Sequence, residues 1–193
     1  MKNTRFFTLI EVLVVIVIIV ILGLIGYGSY TYAKNAAKTA RSEALFKNLQ
    51  AGLESFYNKT SYYPSSTGGD FNAIVITLGA DKTVGKISFG VTEIEDNTSD
   101  PVKQALFDSF AKAVDLEQLR QCTSASGELT DAWGAPVYYR APGVFNQTGY
   151  DLVAAGPDGK FSSGNADTPV GITDLGKFRN AAGEHLCDDL FNF

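Results

Sequence analysis

The chain has 193 residues, 45% of them hydrophobic and 19% charged, and its 16 Lys and Arg against 21 Asp and Glu leave a net charge of −5. That length and composition allow one domain with a real core, while the acidic balance excludes a protein that works mainly by gripping nucleic-acid phosphates. One histidine and two cysteines, neither in a C-x-x-C pair, are too few soft ligands for a convincing zinc site.

Lys2 and Arg5 precede Phe7-Thr-Leu-Ile-Glu11, after which residues 12–25 are almost unbroken apolar sequence. Three readings compete for this stretch. Thr8 and Glu11 have the spacing of a capping box, with Thr8 as N-cap and Glu11 reaching back to its amide. Residues 1–28 also have the parts of a secretory signal peptide, with Gly26-Tyr-Gly28 as a cleavage site before Ser29. In the third reading the cut falls before Phe7 and the helix is retained. An acid at the edge of the apolar run argues against the signal peptide, and no turn signal ends the pattern at Ile25. Residues 7–32 are long enough to cross a hydrocarbon core of about 30 Å at about 1.5 Å per residue. An ionised Glu at membrane depth costs about 2.5–3.5 kcal/mol and usually has a partner.

Phe-Thr-Leu-Ile-Glu followed by an apolar helix resembles the N-terminus of type IV pilins and type II secretion pseudopilins. The resemblance implies a leader over residues 1–6 removed by a prepilin peptidase, N-methylation at the new terminus Phe7, and a membrane and filament-core helix over 7–32. It also implies a head over 33–193 in the periplasm, a single pass through the bacterial inner membrane, and Glu11 paired with the N-terminal amine of a neighbouring subunit. Family leaders place Gly, occasionally Ala, before the cut; this chain has Phe6. Charge alone does not set the topology, since Lys2 and Arg5 on one side face Lys34, Lys38 and Arg41 on the other. Gly23, Gly26 and Gly28 serve either close helix packing or a point of bending in the filament; the proline that family members commonly carry here is missing.

Ala33, Ala37, Ala40 and Ala44, followed by Leu45, Leu49, Leu53 and Phe56, repeat at helical spacing with charges between them. They predict an amphipathic continuation of the first helix, to about Tyr57, whose apolar stripe packs on a globular body. Tyr62-Tyr63-Pro64 through Gly69 is a turn-rich connector. Residues 70–78 read as a short helix or a strand, because β-branched residues compete with a possible Asp70 cap. Residues 80–127 read as an insertion relative to compact pseudopilins. Within it Ile87 to Ile94 alternates as a strand, and Asp100-Pro101 starts an amphipathic helix through Leu106, Phe110, Val114 and Leu119. Val137-Tyr-Tyr-Arg140 and Tyr150-Asp-Leu-Val-Ala154 read as an antiparallel hairpin. The fold class is α+β: a long N-terminal helix packed on a C-terminal antiparallel sheet, with an extra helical insertion.

Asp131-Ala-Trp-Gly134, then Tyr150-Asp-Leu-Val-Ala-Ala-Gly-Pro-Asp158-Gly-Lys160, resembles the C-terminal signature of major pseudopilins of type II secretion, with Ala132 in place of the usual proline. The resemblance implies structural calcium held by the Ala155 carbonyl and by Asp158, Ser163, Asn165 and Asp167. Calcium takes six to eight hard oxygens, and these residue types suit it; on the residues alone, Asp, Asn, Ser and Gly make turns equally well. Two cysteines behind an export-type N-terminus fit a Cys122–Cys187 disulfide in an oxidising compartment, with two separate thiols as the alternative. No nucleophile constellation, phosphate loop or dinucleotide fingerprint stands out, and His185 has no convincing partner. The expectation is a non-catalytic subunit of a type II secretion pseudopilus. Its partners would be copies of itself, other pseudopilins, inner-membrane assembly proteins and the prepilin peptidase. The alternatives are a type IV pilus subunit and a secreted binding protein with a removed signal peptide.

Overall fold

Thr8 is the point at which the backbone becomes helical. A computed structural model describes residues 8–161 and 190–192, leaving out the side chains of residues 23–29 and 190. Helix α1 runs Leu9–Thr60, so the apolar and amphipathic stretches of the sequence form one continuous element. It stops where Ser61 turns left-handed at φ 61°, its amide donating to Tyr57 O at 2.7 Å. A left-handed residue just past the last turn closes a helix by supplying donors to its final carbonyls.

The chain divides into two units, Met1–Lys38 and Thr39–Phe193. In the first, the large apolar side chains of residues 9–22 are 48–84% exposed. Among the described residues no helix is long and apolar enough to cross a membrane. The expected 7–32 span includes residue 7 and the side chains of 23–29, all outside the description, so the described apolar run ends at Leu22.

The second unit is built on the other end of α1. Leu45, Leu49, Leu53 and Phe56 are at most 1% exposed and form the helical side of the main core. The alanines expected to begin this stripe do not take part: Ala33, Ala37, Ala40 and Ala44 are all exposed. An alanine buries too little area to hold a surface closed by itself; the buried face begins instead at Ser42 and Leu45.

The connector after α1 is held from the sheet, where Tyr139 Oη donates to Pro64 O at 2.7 Å. Residues 70–78 resolve as two short strands, β1 (Asn72–Ala73) and β2 (Val75–Leu78), with no helix. Asp70 Oδ1 accepts from the amide of Phe71 at 2.8 Å and stands 3.6 Å from Arg140 Nη1, and no helix starts from it. The β-branched residues win there.

The insertion is less helical than expected. The supposed strand from Ile87 to Ile94 is a hairpin, β3 (Val84–Phe89) and β4 (Thr92–Glu95), turned at Gly90 with φ 77°. A Cβ on Gly90 would sit 2.6 Å from Thr67 N and from Asn72 Oδ1, so glycine is needed both for the turn and for the close connector. Strands β2, β3 and β4 form a three-stranded antiparallel sheet.

Helix α2 (Pro101–Ala113) starts as the sequence suggests, with Asp100 accepting from Val102 N at 3.0 Å and Lys103 N at 3.3 Å. It ends at Val114, however, and Asp115 caps a second short helix, α3 (Leu116–Gln121). Asn48 of α1 explains the break. Its Oδ1 accepts from Asp115 N at 2.8 Å, so the amide freed by the break is paired, and its own amide donates at 3.1 Å to Asp115 O, which also receives Leu119 N of α3 at 3.2 Å. One turn on, Gly52 lets α2 close in: a Cβ there would lie 2.4 Å from Val114 Cγ2 and 2.5 Å from Phe110 Cε2. Ser55 then donates to Ser109 O at 2.8 Å.

Strands β5 (Val137–Arg140) and β6 (Asp151–Ala154) are the expected antiparallel hairpin. With β1 and β7 (Leu190–Phe191) they make a four-stranded sheet in the order β1-β5-β6-β7. Its larger core face meets α1, while Phe71, Val153, Ala155 and Phe161 form a smaller cluster of their own. The architecture is α+β with antiparallel sheets, and fits a pilin-like fold.

Candidate functional site

At the N-terminus the capping box closes in both directions. Glu11 Oε2 accepts from Thr8 N and from Thr8 Oγ1, each at 3.0 Å, and Thr8 Oγ1 accepts from Glu11 N at 3.3 Å. Thr8 O also receives Val12 N at 3.3 Å, the first bond of the helical ladder. Thr is a preferred N-cap, and Glu three positions on satisfies the orphan amide that the cap leaves. The acid at the head of the apolar segment is therefore locally bonded, beside a face of exposed Leu, Ile and Val. Phe6 and Phe7 lie outside the described residues.

The second candidate region follows β6. Ala154 and Ala155 are buried, and a 3-10 turn over Gly156–Asp158 is closed by Gly159 in the left-handed region at φ 70°. Asp158 Oδ1 accepts from Lys160 N at 2.8 Å, the ordinary work of an Asp in a turn. Ser163, Asn165 and Asp167 lie outside the described residues, as does His185. Among the described residues no three of His, Cys, Asp and Glu come together to hold a metal ion. Of the expected calcium ligands, then, only Ala155 and Asp158 are placed. They stand at the two ends of one short turn, a carbonyl and a carboxylate of the hard-oxygen kind that calcium takes.

The Asp131-Ala-Trp-Gly134 turn lies at the start of β5. Asp131 Oδ1 accepts from Trp133 N at 2.9 Å and Ala135 N at 2.8 Å, and Gly134 takes φ 93°. Ala132 N donates to Ser42 Oγ at 2.9 Å, which ties the turn to α1. Asp131 is 5% exposed, and among the described residues its Oδ2 has no partner at hydrogen-bonding geometry. Burial accordingly pushes its carboxyl above the ordinary value, against the downward pull of the amides of Ala135 and Trp133.

Two further groups hold this region and were not singled out from the sequence. Asp151, fully buried, accepts from Val144 N at 2.6 Å, Phe145 N at 3.0 Å and Asn146 N at 2.9 Å, and so shapes the loop between β5 and β6. Ser42 sits at the head of the buried face of α1. The signal for both is a polar residue inside an otherwise apolar pattern. Cys122 is buried and its Sγ receives Arg41 Nη2 at 3.7 Å; Cys187 lies outside the described residues.

A cleft of about 470 Å³ beside the end of α1 is lined by Tyr57, Tyr62, Tyr63, Pro142, Gln147 and neighbouring residues. Burial, then the nearby Glu54 carboxylate, pushes the Tyr63 phenol up to about 12, so at neutral pH it stays a donor to Glu54 Oε1, at 2.9 Å.

Residues 1–27 match the prokaryotic N-terminal methylation motif. No curated protein and no solved structure matches the chain. The motif, lying over the Thr8–Glu11 cap and the exposed apolar face, supports a type IV pilin-like structural subunit, with the prepilin processing and filament assembly that such a signal implies.

Proposed function

We propose that the chain is a structural subunit of a type II secretion pseudopilus, held by a single helix in the bacterial inner membrane with its head in the periplasm, and drawn from there into a filament. The observation that carries this reading is the methylation motif over residues 1–27, whose acid heads a helix with an exposed apolar face. Assembly moves that face from lipid into a core of neighbouring helices. Glu11 then pairs with the amine that cleavage before Phe7 exposes on the next subunit. The choice of pseudopilus over pilus rests on the Asp131-Ala-Trp-Gly134 turn and the Asp158-Gly159-Lys160 loop after β6, in which Ala155, Asp158, Ser163, Asn165 and Asp167 would hold a structural calcium ion.

The test is to express the full chain with a prepilin peptidase and the assembly machinery, sequence the mature N-terminus, and score sheared filaments for wild type and Glu11→Ala. A mature chain starting at a methylated Phe7, with filaments that E11A abolishes, supports the reading. One starting at Ser29, or E11A filaments in undiminished yield, overturns it.

A further inference from the structure

Beyond the apolar run, α1 changes character in a fixed order. Tyr30 is 65% and Tyr32 79% exposed, so neither ring is covered by the described residues. Lys34 is exposed as well, and Lys38 partly so. At about 100° per residue, Tyr30, Lys34 and Lys38 rise one turn apart along one side of the helix, with Tyr32 round the back. The charge is equally one-sided. No acid lies between Glu11 and Glu43, whereas Lys34, Lys38 and Arg41 all do, in a chain whose net charge is −5.

The spacing fits a bilayer. From Glu11 to Tyr30 the helix rises about 28 Å, close to the roughly 30 Å of a hydrocarbon core. Lys34 then stands about 6 Å further on, within a headgroup layer of about 5–8 Å. Tyrosines suit the boundary, with ring in the acyl region and hydroxyl in water, and a lysine's long stem lets its ammonium reach the phosphates.

We propose that Tyr30, Tyr32, Lys34 and Lys38 form a collar that binds the phosphate headgroups of anionic phospholipids and fixes the depth at which the subunit waits for assembly. This rests on the membrane-anchored reading above and adds to it a lipid class and the residues that select it. Ammonium groups beside a diester phosphate gain from attraction that a zwitterionic headgroup largely cancels. Extraction into a filament then has to break these contacts, so the collar sets how firmly the waiting pool is held.

The test uses the full chain reconstituted in phosphatidylcholine bilayers doped with spin-labelled phosphatidylglycerol or spin-labelled phosphatidylcholine, and reads the motionally restricted lipid at its surface. The expected result is a severalfold preference for phosphatidylglycerol, lost in the Lys34→Gln/Lys38→Gln double variant, kept in Lys59→Gln near the end of α1, and reduced by about 0.5 M salt, where the screening length falls to a few ångströms. Equal association of the two lipids overturns the proposal. A preference that survives K34Q/K38Q overturns it too, because it then belongs to other cations such as Lys2 and Arg5. If wild type shows no restricted lipid at all, the membrane anchoring beneath the proposal has failed, and that outcome is distinct from either of the others.

Discussion

Gly52 is the sharpest test of how the insertion sits on the long helix. A glycine inside a helix costs about 1 kcal/mol relative to alanine, so Gly52→Ala would stabilise α1 if nothing else mattered. The new Cβ would meet Val114 Cγ2 at 2.4 Å and Phe110 Cε2 and Cζ at 2.5 and 2.6 Å. Ordinary contact begins near 3.4 Å, so each must retreat by almost an ångström. Phe110 is 0% and Val114 6% exposed, and neither has open space to move into. Overpacking of this kind costs about 1–3 kcal/mol, and enclosure on all sides puts the cost in the upper part of that range. After the helical gain, about 1–2 kcal/mol of destabilisation remains. For a unit of this size that lowers Tm by roughly 2–8 °C, read by thermal unfolding of the full chain in detergent. In a Val114→Ala background part of the obstruction is gone, and Gly52→Ala must cost less, as a double-mutant cycle detects. If Gly52→Ala alone raises Tm, α2 does not lie against α1 at this point and the packing argument fails.

Four other outcomes follow from single groups. Asn48→Ala removes the partner of the Asp115 amide and one of the two donors on Asp115 O, and should cost about 1–3 kcal/mol by chemical unfolding, the worth of two ordinary hydrogen bonds; a loss under about 0.5 kcal/mol, the range of an ordinary surface change, means the break is held by something else. Asp151→Ala removes the acceptor of three part-buried amides, those of Val144, Phe145 and Asn146, and should lower the stability of the second unit by about 2–5 kcal/mol, whereas a near-native Tm refutes the cradle. Asp131 holds its proton to a higher pH when folded than its ordinary 3.8 allows, so its contribution favours folding at low pH and is lost as pH rises through the folded value; Asp131→Asn should flatten that part of the Tm profile, and parallel profiles count against it. If the loop after β6 binds calcium, millimolar calcium should raise Tm over a chelator control by several degrees, and Asp158→Ala should abolish the difference.

What the sequence made legible was local. Thr8-x-x-Glu11 and Asp100-Pro101 are caps whose partners lie within three residues, and each forms as expected. The 137–154 hairpin was legible for the same reason: alternation and a turn signal are short-range. The failures came where distant residues decide. One periodic helix through Leu119 is broken at Asp115, where Asn48, far back in the chain, pairs the amide that the break exposes. The apparent strand from Ile87 to Ile94 folds back at Gly90, a positive-φ glycine against which the distant connector at Thr67 and Asn72 packs closely. The alanines before Leu45 repeat at the right period and stay exposed, since periodicity shows which residues share a face and not whether anything covers it. Ala155 and Asp158 were placed where a turn alone would place them, while Ser163, Asn165, Asp167, Cys187 and His185 lie outside the described residues.

Glu11 joins the local and the distant levels. The capping box already gives its carboxylate two donors from Thr8, and a cap of this kind stabilises a helix by about 0.5–2 kcal/mol. Carrying an ionised carboxylate into the bilayer costs about 2.5–3.5 kcal/mol at the centre and less toward the edge. The cap therefore offsets part of the cost and leaves a remainder of up to about 2–3 kcal/mol when the helix start is drawn to depth. A remainder of that size is small enough for a lone subunit near the interface to bear while it waits. It is also large enough to favour any neighbour that offers a cation: a charge-assisted hydrogen bond contributes about 1.5–3 kcal/mol. The carboxylate has the capacity for this, because it accepts up to four hydrogen bonds and Thr8 occupies only Oε2. Glu11 can thus keep its cap and still take an amine at Oε1, so pairing with the next subunit need not begin by undoing the helix start.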